Sequence, residues 1–303
     1  MNLKKRNIFG IKELSKEEIY FILEKAAVYK KQMRNGEMKS ADLKGKTILN
    51  IFFENSTRTR TSFEIAGKRL GADVINISIA TSSLKKGESL MDTAKTFDAM
   101  HVDSYVIRHS CSGAPMFFSK FVNGNVINAG DGANEHPTQA LLDAFTILEQ
   151  KGKIEGLNIV ILGDILHSRV ARSNIYLLNK LGANITLVGP TTLVPKEFEA
   201  MGVKVTNNLD SVIENADVIN VLRIQLERQS ASFFPTVKEY SEQFGMNTAR
   251  VARTKKDVVI MHPGPMNRGV EIAFDVADCN RQFILEQVEN GVAVRMALLA
   301  LTI

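Results

Sequence analysis

Short apolar, β-rich runs alternate with helical patterns along most of the chain. That alternation restricts the fold to α/β layers around parallel sheets, because consecutive parallel strands need a crossover and a helix supplies it. The pattern starts with Ser15-x-x-Glu18, which reads as a capping box, and Ile19, Ile22, Leu23 and Ala26 follow at helical spacing. Strands are predicted at 47–53, 74–77, 104–107 and 126–128, with a helix from Ser56 to Gly71 and another over 92–97. Pro137 opens a helix carrying Leu141, Leu142, Phe145 and Leu148, a position where its missing N–H costs nothing. A second series has strands at 157–162, 184–188, 218–222 and 258–261, a helix through Val170, Ile175 and Leu178, and a last helix over 281–303.

A length of 303 residues suggests two domains. The Gln150-Lys151-Gly152-Lys153 stretch is the expected boundary, giving residues 1–149 and 150–283, with a terminal helix from about 284 to 303 packing back on the first domain. An apolar fraction of 45% excludes a disordered chain, and 20 Gly with 7 Pro exclude a collagen-like one. No apolar run is long enough for a membrane span, and none follows the basic start as a secretory signal would require. Two cysteines, Cys111 and Cys279, are too few for a disulfide framework. A cytoplasmic protein with no membrane partner is therefore expected.

The balance of 38 Lys+Arg against 33 Asp+Glu invites a nucleic-acid reading. Against it, no basic run exceeds three residues, aromatics are 7%, and there is no Trp. A pocket for small anions is the alternative, and the placement of the cations favours it.

Ser56-Thr57-Arg58-Thr59-Arg60 stands where a strand ends and a helix begins. Backbone N–H groups and the positive end of the helix dipole make such a start an anion site, and hydroxyls with an arginine fork exceed what a cap needs. The stretch from Asn128 to Gln139 pairs a Gly-rich turn with His136, Pro137 and Gln139 on the first helical turn. There the dipole disfavours an imidazolium, so a neutral His136 can donate to a carbonyl oxygen. Arg108 ends an apolar strand, the end at which open α/β sheets bind ligands. Gly163-Asp164 with Ser168-Arg169 forms a partial dinucleotide-type turn lacking two of the three glycines, and Arg169 there points to another anion. Arg223 and Gln225 follow a further strand. After the last strand, His262-Pro263-Gly264-Pro265 is a kinked segment whose prolines lack N–H, leaving carbonyls as acceptors. By itself, Ser82-Ser83-Leu84-Lys85-Lys86-Gly87-Glu88 reads as a solvated loop.

Together these segments resemble the aspartate and ornithine carbamoyltransferase family over essentially the whole chain. Ser56-Thr57-Arg58-Thr59-Arg60 and His136-Pro137-Thr138-Gln139 match the motifs common to the family. The His262-Pro263-Gly264-Pro265 segment, the Lys85-Lys86-Gly87-Glu88 loop and the Arg223-x-Gln225 pair are similar to its aspartate branch. The resemblance implies two doubly wound parallel-sheet α/β domains with the active site in the cleft between them. It assigns carbamoyl phosphate to Ser56, Thr57, Arg58, Thr59, Arg108, His136 and Gln139, with the Gly264 and Pro265 carbonyls on the carbamoyl amine. It assigns aspartate to Lys86, Arg169, Arg223 and Gln225; Lys86 is the residue carried over from its loop, and a contribution from Ser83 to the neighbouring site is left open. Arg58, Thr59, Arg108 and His136 are the implied catalytic residues.

The implied reaction is attack of the aspartate α-amine on the carbamoyl carbon, with Thr59, Arg108 and His136 stabilising the oxyanion and no protein nucleophile, metal or cofactor. The Lys86 loop would reach a neighbouring subunit's site, which implies a homotrimer; separate regulatory chains are left open. The competing readings are another amine acceptor, a nicotinamide oxidoreductase resting on Gly163-Asp164 alone, and a nucleic-acid-binding or regulatory subunit resting on the pI of about 9.1.

Overall fold

The computed structural model describes residues 2–36, 40–78, 88–224 and 236–303. The chain divides into two compact units, one of Met1–Leu142 with Val288–Ile303, the other of Asp143–Gln287.

The first unit opens with α1 (Lys16–Arg34), where Ser15 and Glu18 form the capping box and Ile19, Ile22, Leu23 and Ala26 are the buried stripe. Four parallel strands follow: β1 (Thr47–Phe52), β2 (Asp73–Ser78), β3 (Ser104–His109) and β4 (Asn125–Asp131). Between and after them come α2 (Thr57–Arg69), α3 (Leu90–Asp98), α4 (Ala114–Phe118) and α5 (Pro137–Lys151). The strand order is β2-β1-β3-β4. The chain therefore winds outward from β1 in one direction and then from β3 in the other, leaving a topological switch point between them. Leu49, Ile51, Tyr105, Ile107, Phe118 and Val126 share one core, and every residue of β4 is buried, as parallel strands covered on both faces should be. Each such side chain contributes about 1.5–3 kcal/mol by leaving water.

The second unit repeats the scheme with β5 (Asn158–Leu162), β6 (Asn184–Val188), β7 (Lys204–Thr206), β8 (Val218–Val221) and β9 (Val259–Met261). Its order is β7-β6-β5-β8-β9, all parallel, with the switch point between β5 and β8. Its helices are α6 (Arg169–Lys180), α7 (Val237–Phe244), α8 (Thr248–Arg253) and α9 (Phe274–Ala277); α10 (Ile284–Thr302) begins in it and belongs to the first unit from Val288 onward. Val160, Leu162, Ile219, Val221, Tyr240, Phe244 and Ile260 fill its core.

The structure adds short elements to the sequence reading. The three-residue edge strand β7 and the short helices α4, α7, α8 and α9 are additional elements. The last helix starts at Ile284, because 281–283 run beside β9: the Ile260 N–H donates to the Arg281 carbonyl and the Phe283 N–H to the Ile260 carbonyl, both at 2.9 Å. The two compact units part inside α5, after Leu142. Asp143 is fully buried and takes hydrogen bonds from Gln287 (2.7 Å) and Asn174 (2.8 Å), which fix it in the second unit although α5 runs on to Lys151. Among the described residues, no helix is long and apolar enough to cross a membrane.

Candidate active site

In the first unit the C-terminal ends of three adjacent strands carry the candidate residues. Beyond β1, Ser56 precedes α2, and its backbone carbonyl accepts the Arg60 N–H at 3.2 Å. The Ser56 hydroxyl makes no capping bond, unlike Ser15, Ser89 and Ser168, whose side chains each accept a backbone N–H of their helix. The first turn of α2 also holds no acidic residue, although Asp and Glu are the usual neighbours of a positive dipole end. Arg58 and Thr57 are exposed there, Ser56 is half-buried and Thr59 is buried. A turn with hydroxyls unused by its own backbone is suited to an anion from outside.

Arg108 lies across from this turn, in register with Phe52, and its carbonyl accepts the Phe53 N–H at 2.9 Å. Its guanidinium is held from both sides. Nε lies 3.4 Å from Glu54 Oε2, and Nη1 donates to the Ala129 carbonyl at 3.3 Å. The β3–β4 register shifts between Ile107 and His109, a bulge that re-aims the strand end at this position. His109 stacks at 4.6 Å on Phe53, and burial holds its imidazole below the ordinary histidine range, against the pull of Glu54 and Asp131. The fixed positive charge at this strand end is thus Arg108.

Beyond β4, the turn to α5 is organised by the buried Asp131. It accepts from the Gly113 N–H (2.6 Å), the Glu135 N–H (3.1 Å), Asn128 Nδ2 (2.7 Å) and Asn134 Nδ2 (3.0 Å). Gly132 must be glycine, since its φ is +48° and a Cβ would lie 2.5 Å from Ser112 Oγ. The turn delivers His136 to the start of α5, where its carbonyl accepts the Gln139 N–H at 3.0 Å. His136 and Gln139 are both buried, and α5 too has no acidic residue in its first turn.

The second unit places its candidates in the same way, at the ends of β5, β8 and β9. After β5, the buried Asp164 accepts from the His167 backbone N–H at 3.2 Å, with His167 Nδ1 2.9 Å away. Arg169 is buried at the start of α6, whose first turn again lacks acid. Arg223 is half-buried just beyond β8. After β9, Gly264 has φ +63° and a cis bond to Pro265, and Asn267 Nδ2 donates at 3.3 Å to the Ile224 carbonyl next to Arg223. Tyr240 is fully buried; desolvation, with the Glu271 and Asp164 carboxylates, pushes its hydroxyl above the usual phenol range. Lys86 and Gln225, like Ser83, lie outside the described residues.

Glu54, Asp131 and Glu271 are the residues that sequence reasoning did not single out. Glu54 had a signal, an acid directly before a run of hydroxyls and arginines, but its partner Arg108 is set by strand adjacency. Among the described residues, no cluster of His, Cys, Asp or Glu could hold a metal ion.

Two α/β units, each with arginines and an acid-free helix start at its switch point, define an enzyme class that handles small anions through fixed cations. Comparison with known proteins narrows the class. Residues 6–149 match the family model described as the aspartate/ornithine carbamoyltransferase carbamoyl-P binding domain, and 155–302 match its Asp/Orn binding domain. The chain is 56% identical over 296 residues to the aspartate carbamoyltransferase catalytic subunit of Heliobacterium modesticaldum, covering 98% of this chain and 95% of that one. It superposes with a TM-score of 0.90 on the aspartate transcarbamoylase of Trypanosoma cruzi in complex with carbamoyl phosphate and aspartate, at 31% identity and 99% and 98% coverage. For the Pyrococcus furiosus ornithine carbamoyltransferase the TM-score is 0.88 at 30% identity, with 100% and 98% coverage. The chain belongs to the aspartate/ornithine carbamoyltransferase family.

Proposed function

We propose that this chain transfers the carbamoyl group of carbamoyl phosphate to the α-amine of L-aspartate, giving N-carbamoyl-L-aspartate and phosphate for de novo pyrimidine biosynthesis. The observation that carries the reading is the start of α2: an acid-free first turn whose Ser56 hydroxyl caps nothing, beside a strand end bearing the braced Arg108. The name of the Heliobacterium relative and the ligands of the Trypanosoma one support the choice of substrates.

Ser56, Thr57, Arg58 and Thr59 take the phosphate, and Thr59, Arg108 and His136 donate to the carbamoyl oxygen. Gln139 and the backbone carbonyls of Gly264 and Pro265 position the carbamoyl amine. Lys86, Arg169, Arg223 and Gln225 bind the two carboxylates of aspartate. The uncharged amine attacks the carbamoyl carbon, forming a C–N bond and a tetrahedral oxyanion. The C–O bond to phosphate then breaks, phosphate leaves into the α2 cradle, and the amine proton is lost to the departing phosphate or to water. No covalent enzyme intermediate forms. Stabilising the oxyanion with donors fixed before reaction is worth about 10²–10³ in rate per donor. The first unit provides the carbamoyl phosphate site and the second the aspartate site. The protein works in the cytoplasm as a homotrimer in which the Lys86 loop of one subunit completes the site of the next.

The test is an assay of carbamoyl phosphate with L-aspartate, and with L-ornithine as control. Carbamoylaspartate formation with ornithine unused is the expected result. Ornithine turnover alone, or no turnover with either, overturns the reading.

A further inference from the structure

The segment that follows β9 is clasped by one buried carboxylate. His262 and Glu271 have no side-chain exposure at all, and His262 Nε2 lies 3.1 Å from Glu271 Oε1. The other ring nitrogen, Nδ1, accepts the Gly264 N–H at 2.8 Å, so the ring proton resides on Nε2 and is donated to Glu271. The same Glu271 oxygen accepts the Asn267 N–H at 2.6 Å. One carboxylate thus grips the segment through His262 at one end and through backbone at the other. The grip is itself anchored. The Glu271 carbonyl accepts the Met246 N–H at 3.0 Å, and the neighbouring Ile272 is fully buried in the core. The His262 backbone N–H donates to Gln287 Oε1 at 2.9 Å, and Gln287 in turn donates to Asp143 at 2.7 Å.

Between the two points of the grip lie Pro263, Gly264, Pro265 and Met266, and the two prolines have no N–H to donate. The Gly264 N–H is the one donor of Pro263, Gly264 and Pro265, and it is turned inward onto His262. What these three residues have left to offer a ligand is carbonyl oxygens. A buried carboxylate costs several kcal/mol to desolvate, and a hydrophobic side chain would hold the chain turn as well, so its use here calls for a reason beyond packing. Orienting backbone acceptors to a fraction of an ångström is such a reason.

The geometry points to Glu271 as a positioning residue that acts through His262 to aim the Gly264 and Pro265 carbonyls, and so sets the preference for a carbamoyl over an acyl phosphate. The inference rests on the proposed carbamoyl transfer. Carbamoyl and acetyl phosphate have the same phosphate and carbonyl oxygen and nearly the same shape, and differ in an NH2 where the other has CH3. Only the first can donate to those carbonyls, and a site built to bond an N–H discriminates sharply against the analogue that lacks it.

The experiment measures, on the full-length protein, the dissociation constants of carbamoyl phosphate, acetyl phosphate and inorganic phosphate for the wild type, Glu271→Leu and Glu271→Gln. Glu271→Leu removes the acceptor while keeping the volume, and should cut the carbamoyl-over-acetyl preference about tenfold, as expected for one misplaced hydrogen bond. Inorganic phosphate binding should change by less than about twofold, since that cradle is built elsewhere. Glu271→Gln keeps an oxygen for both donors and should retain most of the preference. Should Glu271→Leu fail to fold, His262→Asn severs the link to Glu271 while its short side chain still accepts the Gly264 N–H, and the same loss of preference is expected. An unchanged preference in a folded Glu271→Leu or His262→Asn variant overturns the inference. So does a wild type that binds both acyl phosphates equally. A wild type that makes no carbamoylaspartate overturns the proposed function instead.

Discussion

Serines precede four of the described helices, and the structure separates them by what their hydroxyls do. At Ser15, Ser89 and Ser168 the side chain accepts a helix N–H, while at Ser56 it does not. Removing the Ser168 hydroxyl therefore leaves a donor of α6 unsatisfied, and Ser168→Ala should cost about 1 kcal/mol of stability in a urea melt. Ser56→Ala should leave the melt within about 0.5 kcal/mol of wild type, because its hydroxyl does not cap the helix, and should weaken carbamoyl phosphate binding under the proposed function. A full-sized loss of stability at Ser56 would contradict that division. In the proposed mechanism His136 meets developing charge only as the oxyanion forms. His136→Ala should lower kcat about 10²–10³-fold while inorganic phosphate still binds, and isothermal titration with phosphate beside steady-state rates checks both halves. The placement of these residues was legible in sequence because hydroxyls, arginine and histidine stand next to strand–helix junctions. The groups that hold them in place were not. Glu54 reaches Arg108 only because β1 and β3 are neighbours, and the Asp131 and Glu271 clasps depend on turns that no periodicity encodes.

Elements were legible in proportion to how continuous their burial is. Strands β5 and β8 are almost wholly buried and read as apolar runs. The edge strand β7 is Lys204-Val205-Thr206, partly exposed along its length, and carries no comparable run. Helices α8 and α9, of 6 and 4 residues, are too short to establish a helical period. Between elements, α1 and the first-unit part of α10 are joined by a fork in which Arg34 Nε and Nη2 donate to Glu289 at 2.8 and 2.7 Å, with Lys30 at 3.6 Å. The Arg34 bonds hold the Glu289 carboxyl below the usual carboxylate range. A carboxyl whose folded-state pKa is depressed stabilises the fold fully above its unfolded value of about 4.3, and that contribution fades as pH falls through the folded value. Glu289→Gln should therefore cost only about 0.5 kcal/mol near pH 7, since Arg34 is more than half exposed. The gap to wild type should close below about pH 4. Urea melts at neutral and acid pH measure this, and a gap that stays constant with pH would show that packing, not charge, joins these helices.

At the scale of the whole molecule, the alternating pattern of strands and helices was readable, but strand order was not. The orders β2-β1-β3-β4 and β7-β6-β5-β8-β9 create the two switch points, and these explain why residues far apart in sequence, Arg58 with Arg108 and Arg169 with Arg223, stand at or beyond the ends of adjacent strands. The excess of five positive charges says little by itself; positions 108 and 223, at or just past a strand end, and 169, at the start of α6, say more. If the second unit carries the aspartate site, Arg223→Ala should raise the aspartate KM about 10²-fold and leave carbamoyl phosphate affinity within a factor of about two. Loss of both affinities together would place Arg223 in general folding instead. The shared-site reading makes a sharper demand. Arg58→Ala removes a cation from a subunit's own site, while Lys86→Ala removes one that the subunit lends to its neighbour. Each variant alone should be nearly inactive. In trimers reassembled from an equal mixture, a site is intact when its own chain keeps Arg58 and the lending chain keeps Lys86, which random assembly gives in about a quarter of sites. Activity should therefore reappear on mixing and unfolding–refolding the two inactive proteins, to roughly that fraction of wild type. If Lys86 serves its own subunit, every chain in the mixture lacks one of the two cations its site requires, and mixing restores nothing.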